Sequence, residues 1–252
     1  MIYLVSGFLG GCSDWDEVAA ELGGRECRRI GVLDLATAGA DESAMERAAQ
    51  RLSAIVSQSR QSGEECVVCG YSMGGRIALH ALPMLDESVQ VIIVSASPGL
   101  HGAADRRARA SLDAARAARL VSEGISAFVN EWYSQELFNS LRCNRHFADI
   151  RRRRVAECAA ESDAWAWALR SLSPGLVEDG WEHLERFGAR VQFVSGALDD
   201  AYTSLAEPVQ RLGVRTAVIP NAGHAAHLES PAALAAIITR TLAEAPTARA
   251  TT

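Results

Sequence analysis

Six short apolar runs, rich in β-branched residues and spaced widely enough for helices between them, constrain this chain more than any other feature. They are residues 2–5, 29–33, 66–69, 89–94, 191–194 and 216–219. A half-buried strand alternates apolar and polar residues, whereas these runs are apolar at consecutive positions. They therefore predict strands covered on both faces, which means a parallel sheet sandwiched by helices, the α/β class. Helices are expected over 14–22, 41–59, 73–82, 204–212 and 231–242, the last opened by Pro231 after Ser230. The rhythm stops between Gly99 and Gly188, an interval rich in Ala and Arg that holds four of the five tryptophans. That interval reads as several helices inserted into the α/β core. The expected division is a core of residues 1–98 and 189–252 and a helical lid of residues 99–188, with residues 245–252 a disordered tail.

The segment Gly70-Tyr71-Ser72-Met73-Gly74-Gly75 stands directly between an expected strand and an expected helix. Gly-x-Ser-x-Gly in that setting is a nucleophile elbow, a tight turn that exposes a serine oxygen at a helix N-terminus. A hydroxyl needs a base to react, and the base needs an orienting carboxylate. Ser195-Gly196-Ala197-Leu198-Asp199-Asp200 puts an acid after the strand at 191–194. Pro220-Asn221-Ala222-Gly223-His224 puts a histidine after the strand at 216–219. Ser72, Asp199 and His224 thus follow three strands in the chain order Ser, Asp, His, where sites of parallel sheets form. Asp200 and His227 are the alternatives to Asp199 and His224. His80, His101, His146 and His183 follow no expected strand. The loop Ser6-Gly7-Phe8-Leu9-Gly10-Gly11 is glycine-rich, so its backbone can approach a ligand closely at Gly7. The backbone N–H groups of Phe8 and Met73 are the expected oxyanion donors.

Composition excludes other chemistries. The basic residues number 25 against 31 acidic ones, a net charge of −6, which disfavours nucleic acid and anionic lipid. No lysine occurs; every basic residue is arginine, so Schiff-base chemistry and a phosphate-loop lysine are excluded. No apolar run approaches the roughly 20 residues of a membrane span, and the opening run ends at Ser6, too short for a signal peptide. A cytoplasmic protein is expected. Its six cysteines then read as free thiols. Cys66 and Cys69 have redox-motif spacing but lie within a strand. No metal or organic cofactor is implied, since neither a ligand-spaced cluster nor a dinucleotide glycine fingerprint is present. Oligomeric state is not written in these features.

These residues resemble the α/β-hydrolase-fold family. Within it they are similar to the menaquinone-pathway enzymes that make 2-succinyl-6-hydroxy-2,4-cyclohexadiene-1-carboxylate. The resemblance is carried by Gly7-Phe8-Leu9-Gly10, by the elbow through Arg76, and by Ser97-Pro98-Gly99-Leu100. It continues in Glu131-Trp132-Tyr133, in Leu137-Phe138-Asn139-Ser140-Leu141 and in Ala222-Gly223-His224-Ala225-Ala226-His227. It implies a mostly parallel sheet with a helical lid and, here, without the fold's N-terminal antiparallel strand pair. It also implies a lyase: the serine, deprotonated by histidine, removes a ring proton, and pyruvate leaves by elimination. The implied substrate is a small polycarboxylate, which calls for arginines. Arg76 matches a family arginine. One of Arg106, Arg107 and Arg109 is implied as a second, taken as Arg109. One of Arg151, Arg152, Arg153 and Arg154 is implied as a third, taken as Arg154. Arg116 and Arg119 read as surface charges, and Tyr71 and Trp132 as pocket walls. The chain departs from the family at Ser6, usually histidine, and at Ala197 and Ala201 around the acid.

Two other readings use the same residues: an esterase or carbon–carbon bond hydrolase, and a ligand-binding protein that keeps the fold without catalysis. An intact Ser72, Asp199 and His224 weigh against the latter. Two or more arginines converging on Ser72 would favour a polycarboxylate over a neutral ester.

Overall fold

The computed structural model describes residues 1–36, 44–59, 65–177 and 180–244. Six strands form one sheet: β1 (Ile2–Val5), β2 (Cys27–Ile30), β3 (Cys66–Tyr71), β4 (Val89–Val94), β5 (Val191–Gly196) and β6 (Arg215–Ile219). Their spatial order is β2-β1-β3-β4-β5-β6, and every neighbouring pair is parallel. β1, β3, β4 and β5 are buried along their whole length, which is why they can be apolar at consecutive positions. Cover comes from two helix groups. Met73–Ala81 packs on β3 and β4 beside Ala44–Ser59, and Pro231–Ala243 packs on the same strands beside Asp16–Glu21. The chain runs from β1 out to β2 and then back past β1 to β3. The strand order therefore reverses between β1 and β3, the place where a doubly wound sheet opens a crevice at its C-terminal edge.

The second expected strand is displaced. It runs over Cys27–Ile30, and residues 32–35 form a helical turn. The turn starts at Gly31, whose N–H donates to the Asp34 carboxylate at 2.8 Å. β2 lies at the sheet edge with Arg28 and Arg29 exposed, so a search for unbroken apolar residues slides past it. The helix expected over 14–22 is split into a 3-10 turn, Cys12–Trp15, and Asp16–Glu21. That expected over 204–212 shortens to Ala206–Gln210. Residues 41–43 of the expected helix start, and the expected tail at 245–252, lie outside the described residues.

Between β4 and β5 the described residues hold helices and turns and no strand. The helices are Ala103–Glu123, Ile125–Trp132, Asn139–Arg142, Phe147–Cys158, Ser162–Ser171 and Gly180–Phe187. Ala103–Glu123 packs along Ser162–Ser171. All six cysteines are free, and burial pushes the Cys69 thiol well above the ordinary range. Among the described residues no helix is long and apolar enough to cross a membrane.

Candidate active site

The turn between β3 and the helix Met73–Ala81 is built by what its residues lack. A Cβ on Gly74 would stand 2.3 Å from the carbonyl oxygen of Ser6, and one on Gly70 would stand 2.5 Å from that of Gly74. Only glycine fits at either place, and the resulting tightness leaves Ser72 between them with φ 49° and ψ −109°. A non-glycine residue in that region costs on the order of 1–3 kcal/mol. The surroundings hold it there, since the Ser72 N–H donates to the Val94 carbonyl at the end of β4 (2.9 Å) and the Ser72 carbonyl accepts from the Arg76 N–H (3.1 Å).

Two further loops meet this turn. Asp199 follows β5 and caps the short helix Asp200–Thr203, accepting from the Tyr202 N–H. His224 follows β6. Its Nδ1 lies 2.8 Å from Asp199 Oδ2, and its Nε2 lies 3.3 Å from Ser72 Oγ. Both His224 and Asp199 are buried. With Nδ1–H donating to the carboxylate, Nε2 is left as the acceptor facing the serine. Asp200 is exposed. His227 is buried elsewhere, its ring tilted against those of Tyr71 and Trp15 with centres 4.1 Å and 4.9 Å away. Neither of its ring nitrogens has a hydrogen-bond partner among the described residues, and burial pushes its pKa down to about 3.

One residue that sequence reasoning missed holds the histidine loop. The Glu229 carboxylate accepts from the N–H of Gly223 (3.0 Å) and of Ala225 (3.1 Å), gripping the chain on both sides of His224. A carboxylate in the helical turn just beyond the histidine was its available signal. Gly223 lets this loop pass close to Ser140, whose Oγ a Cβ there would meet at 2.0 Å and would have to turn away.

Over Ser72 lies a cavity of about 100 Å³. Phe8, Tyr71, Met73, Arg76, Arg109 and Trp132 line it, so six of the expected site residues surround Ser72 and His224. Gly7 contributes differently: a Cβ on it would strike the Tyr71 ring at 2.7 Å, so its bare Cα makes room for that wall. At the family's histidine position, Ser6 Oγ donates to the Gly11 carbonyl (3.0 Å) and accepts from Trp15 Nε1 (3.1 Å), bracing the loop that carries Phe8.

Arg76 is buried. Its Nη2 donates to the Leu172 carbonyl at 3.0 Å, and its Nε has no partner among the described residues. Burial, with Arg109 nearby, pushes its pKa down to about 10. A buried cation with no carboxylate of its own is a place for an anion. Arg109 donates from Nε to Asp113 Oδ2 at 2.8 Å.

Two arginine expectations are corrected. Arg154 does not line the cavity: it is buried in an ion pair with Asp14, and its Nε donates to the Tyr133 hydroxyl at 3.0 Å. Burial opposes its charge, but Tyr133 and Asp14 outweigh that and hold its pKa above the ordinary arginine value. Arg116, expected on the surface, lines the cavity together with Asp113, Gln135 and Tyr202. Arg119 is a surface charge, paired with Glu123 and Glu131. Helix-face spacing alone does not tell which side of Ala103–Glu123 faces a cavity.

A profile of the alpha/beta hydrolase family matches residues 2–237. The 2-succinyl-6-hydroxy-2,4-cyclohexadiene-1-carboxylate synthase of Serratia proteamaculans (strain 568) is 30% identical over 227 residues, covering 89% of this chain and 82% of that protein. Protein PHYLLO, chloroplastic, of Arabidopsis thaliana is 33% identical over 198 residues, 74% of this chain but 11% of its own length, so this chain corresponds to one section of it. Among solved structures, MenH from S. aureus superposes with a TM-score of 0.82 at 24% identity, over 96% of this chain and 93% of that one.

Proposed function

Since this chain belongs to the alpha/beta hydrolase family, we propose that it is the lyase its synthase relatives are named for. It would eliminate pyruvate from 2-succinyl-5-enolpyruvyl-6-hydroxy-3-cyclohexene-1-carboxylate to give 2-succinyl-6-hydroxy-2,4-cyclohexadiene-1-carboxylate, in menaquinone biosynthesis. The observation that carries this reading is the convergence of buried Arg76 and of Arg109 on the cavity that holds Ser72 and His224. A neutral ester has no use for those charges, whereas a polycarboxylate needs them.

In this mechanism His224 Nε2 takes the Ser72 proton while Asp199 holds the ring and stabilises the imidazolium. Ser72 Oγ then removes a proton from the substrate ring. The electron pair of that C–H bond becomes a ring double bond, and the bond to the enolpyruvyl oxygen breaks. Pyruvate departs as its enolate and takes up the proton that His224 Nε2 carries, so that Ser72, holding the former ring proton, and neutral His224 are both back in their starting states. No bond forms between serine and substrate. The backbone N–H groups of Phe8 and Met73 face the negative charge that develops on the substrate. Arg76 and Arg109 hold carboxylates so that the ring proton stands at Ser72. Residues 99–188 act as the lid over this reaction.

Pyruvate release from the enolpyruvyl substrate, followed by coupled lactate dehydrogenase, is expected to proceed with turnover far above that on p-nitrophenyl acetate. Rapid ester hydrolysis with no pyruvate would replace the lyase by an esterase.

A further inference from the structure

Three guanidinium groups line the cavity over Ser72, and the mechanism above uses only Arg76 and Arg109. The third, Arg116, stands about two helical turns beyond Arg109 on the same face of Ala103–Glu123. Its Nη2 donates to Gln135 Oε1 at 2.6 Å, and its guanidinium carbon lies 5.5 Å from the centre of the Trp132 ring. Gln135 is itself fixed, donating from Nε2 to the Trp132 carbonyl at 2.9 Å. Among the described residues that line the cavity, the one carboxylate is Asp113, whose Oδ1 lies 3.7 Å from Arg116 Nη1.

Asp113 is already engaged elsewhere. It is fully buried, and its Oδ2 accepts from Arg109 Nε at 2.8 Å and from the Ser173 hydroxyl at 2.7 Å. Its Oδ1 accepts no hydrogen bond from the described residues. The cavity wall therefore carries three guanidinium groups against one shared carboxylate. Burial lowers the pKa of Arg116, with Asp113 opposing that and Arg109 adding to it. An aromatic face on one side and a neutral amide on the other fix the plane of the guanidinium, while its charge is compensated only in part, by an Asp113 carboxylate shared with Arg109 and by Glu131. Trp132 packs on Phe8, with ring centres 4.7 Å apart, so this charge belongs to the Phe8 side of the cavity. Arg76 and Arg109 instead act on Tyr202, which lies beside His224.

We propose that Arg116 is a specificity-determining residue of this site, one that binds a second carboxylate of the substrate at the Trp132 side of the cavity, apart from the carboxylate held by Arg76 and Arg109. The incoming carboxylate takes over the hydrogen bond now made to Gln135. The site thereby selects substrates with at least two separated carboxylates over those with one. This inference rests on the polycarboxylate reading of the site but not on the chemistry at Ser72.

Arg116→Gln removes the charge and retains a hydrogen-bonding group, and Arg116→Lys retains the charge without the planar fork. In the pyruvate-release assay Arg116→Gln is expected to raise KM about ten- to a hundredfold, the range of one charge-assisted bond, with the loss falling on KM rather than kcat. Arg116→Lys should recover part of it. A KM equal to that of the wild type, or a fall in kcat at unchanged KM, would overturn the proposal. Calorimetric titration supplies a readout independent of turnover. The wild type should bind tricarballylate, and Arg116→Gln should bind it at least tenfold more weakly, with binding of butyrate the same for both. If the wild type binds tricarballylate in this Arg116-dependent way but releases no pyruvate, the lyase reading fails and this inference stands. If the wild type binds no tricarboxylate, or binds it as tightly without Arg116, the inference fails whatever the turnover.

Discussion

Removing the carboxylate of Asp14 is expected to cost more stability than removing its arginine partner, and the structure says why. Asp14 and Arg154 are both almost completely buried, with side-chain exposures of 1% and 3%. Arg154 makes its ion pair with Asp14 and otherwise donates to the neutral Tyr133 hydroxyl. Asp14 is better supplied: Arg153 also reaches it, at 3.2 Å, with 35% of that side chain exposed. Asp14→Asn therefore strands a buried guanidinium, which costs about 3–5 kcal/mol. Arg154→Met leaves a carboxylate that Arg153 still serves, so its cost should lie nearer the 1–3 kcal/mol of a weakened charged hydrogen bond. For a domain of this size each kcal/mol shifts Tm by about 2–4 °C, so Asp14→Asn should lower Tm by roughly 6–20 °C. The double variant should be more stable than Asp14→Asn alone, because it removes the stranded charge. Urea titrations followed by circular dichroism measure all three. If Arg154→Met proves the costlier single change, or if Asp14→Asn costs less than 1 kcal/mol, the electrostatic argument is refuted. If Arg154→Met raises KM at unchanged stability, Arg154 is a substrate ligand after all.

Ser72→Ala and His224→Ala should each lower kcat by a similar large factor, and the double variant should be little slower than either, since the two act as one unit; additive losses would break that pairing. Asp199→Asn should be damaging and Asp200→Asn nearly silent, and the reverse order of kcat values would move the acid to Asp200. Arg76→Ala should reduce kcat/KM about ten- to a hundredfold. Because the Arg76 pKa is pushed down to about 10, tricarballylate affinity in the wild type should fall as pH rises through that value, and a flat calorimetric profile up to pH 11 would contradict it. His227, pushed down to about 3 from 6.5 by burial, stays neutral in the fold where the unfolded chain takes up a proton. Its contribution is therefore full above pH 6.5 and is lost as pH falls toward 3, by up to about 4–5 kcal/mol. His227→Phe should shrink the drop in Tm between pH 7.5 and pH 4.5, and an unchanged drop would refute this.

The interior of the fold is legible in the sequence because doubly covered strands are apolar at nearly every position, as 66–69 are throughout and 89–94 are apart from Gln90. The elbow is legible because its glycines are dictated by contacts of under 3 Å that no Cβ could survive. Charged residues on helices are much less so. Arg116 and Arg119 stand one turn apart, yet one faces the cavity and the other pairs with Glu123 and Glu131. What separates them is the placement of Trp132 and Gln135, which no local pattern encodes. Family likeness points Arg154 toward the substrate, but Asp14, distant in sequence, pairs with it instead. Glu229 accepts from backbone N–H groups, whose identity leaves no mark, so its one trace in the sequence is a carboxylate in the turn after His224.

The strand that eluded the apolar search ends the sheet, and its arginines do more than hide it. An open strand edge is a row of unused hydrogen-bonding groups on which another molecule could stack and extend the sheet without limit. Along β2, exposed Arg28 and Arg29 place like charges where a second copy's identical edge would have to lie. At the opposite end β6 starts with Arg215, tied to Glu244 at 2.8 Å and to Gln90 at 3.1 Å. The two rims of one sheet are thus guarded in different ways, by repulsion at β2 and by tethering at β6, and changing Arg28 and Arg29 to valine would turn a soluble edge into a template for aggregation.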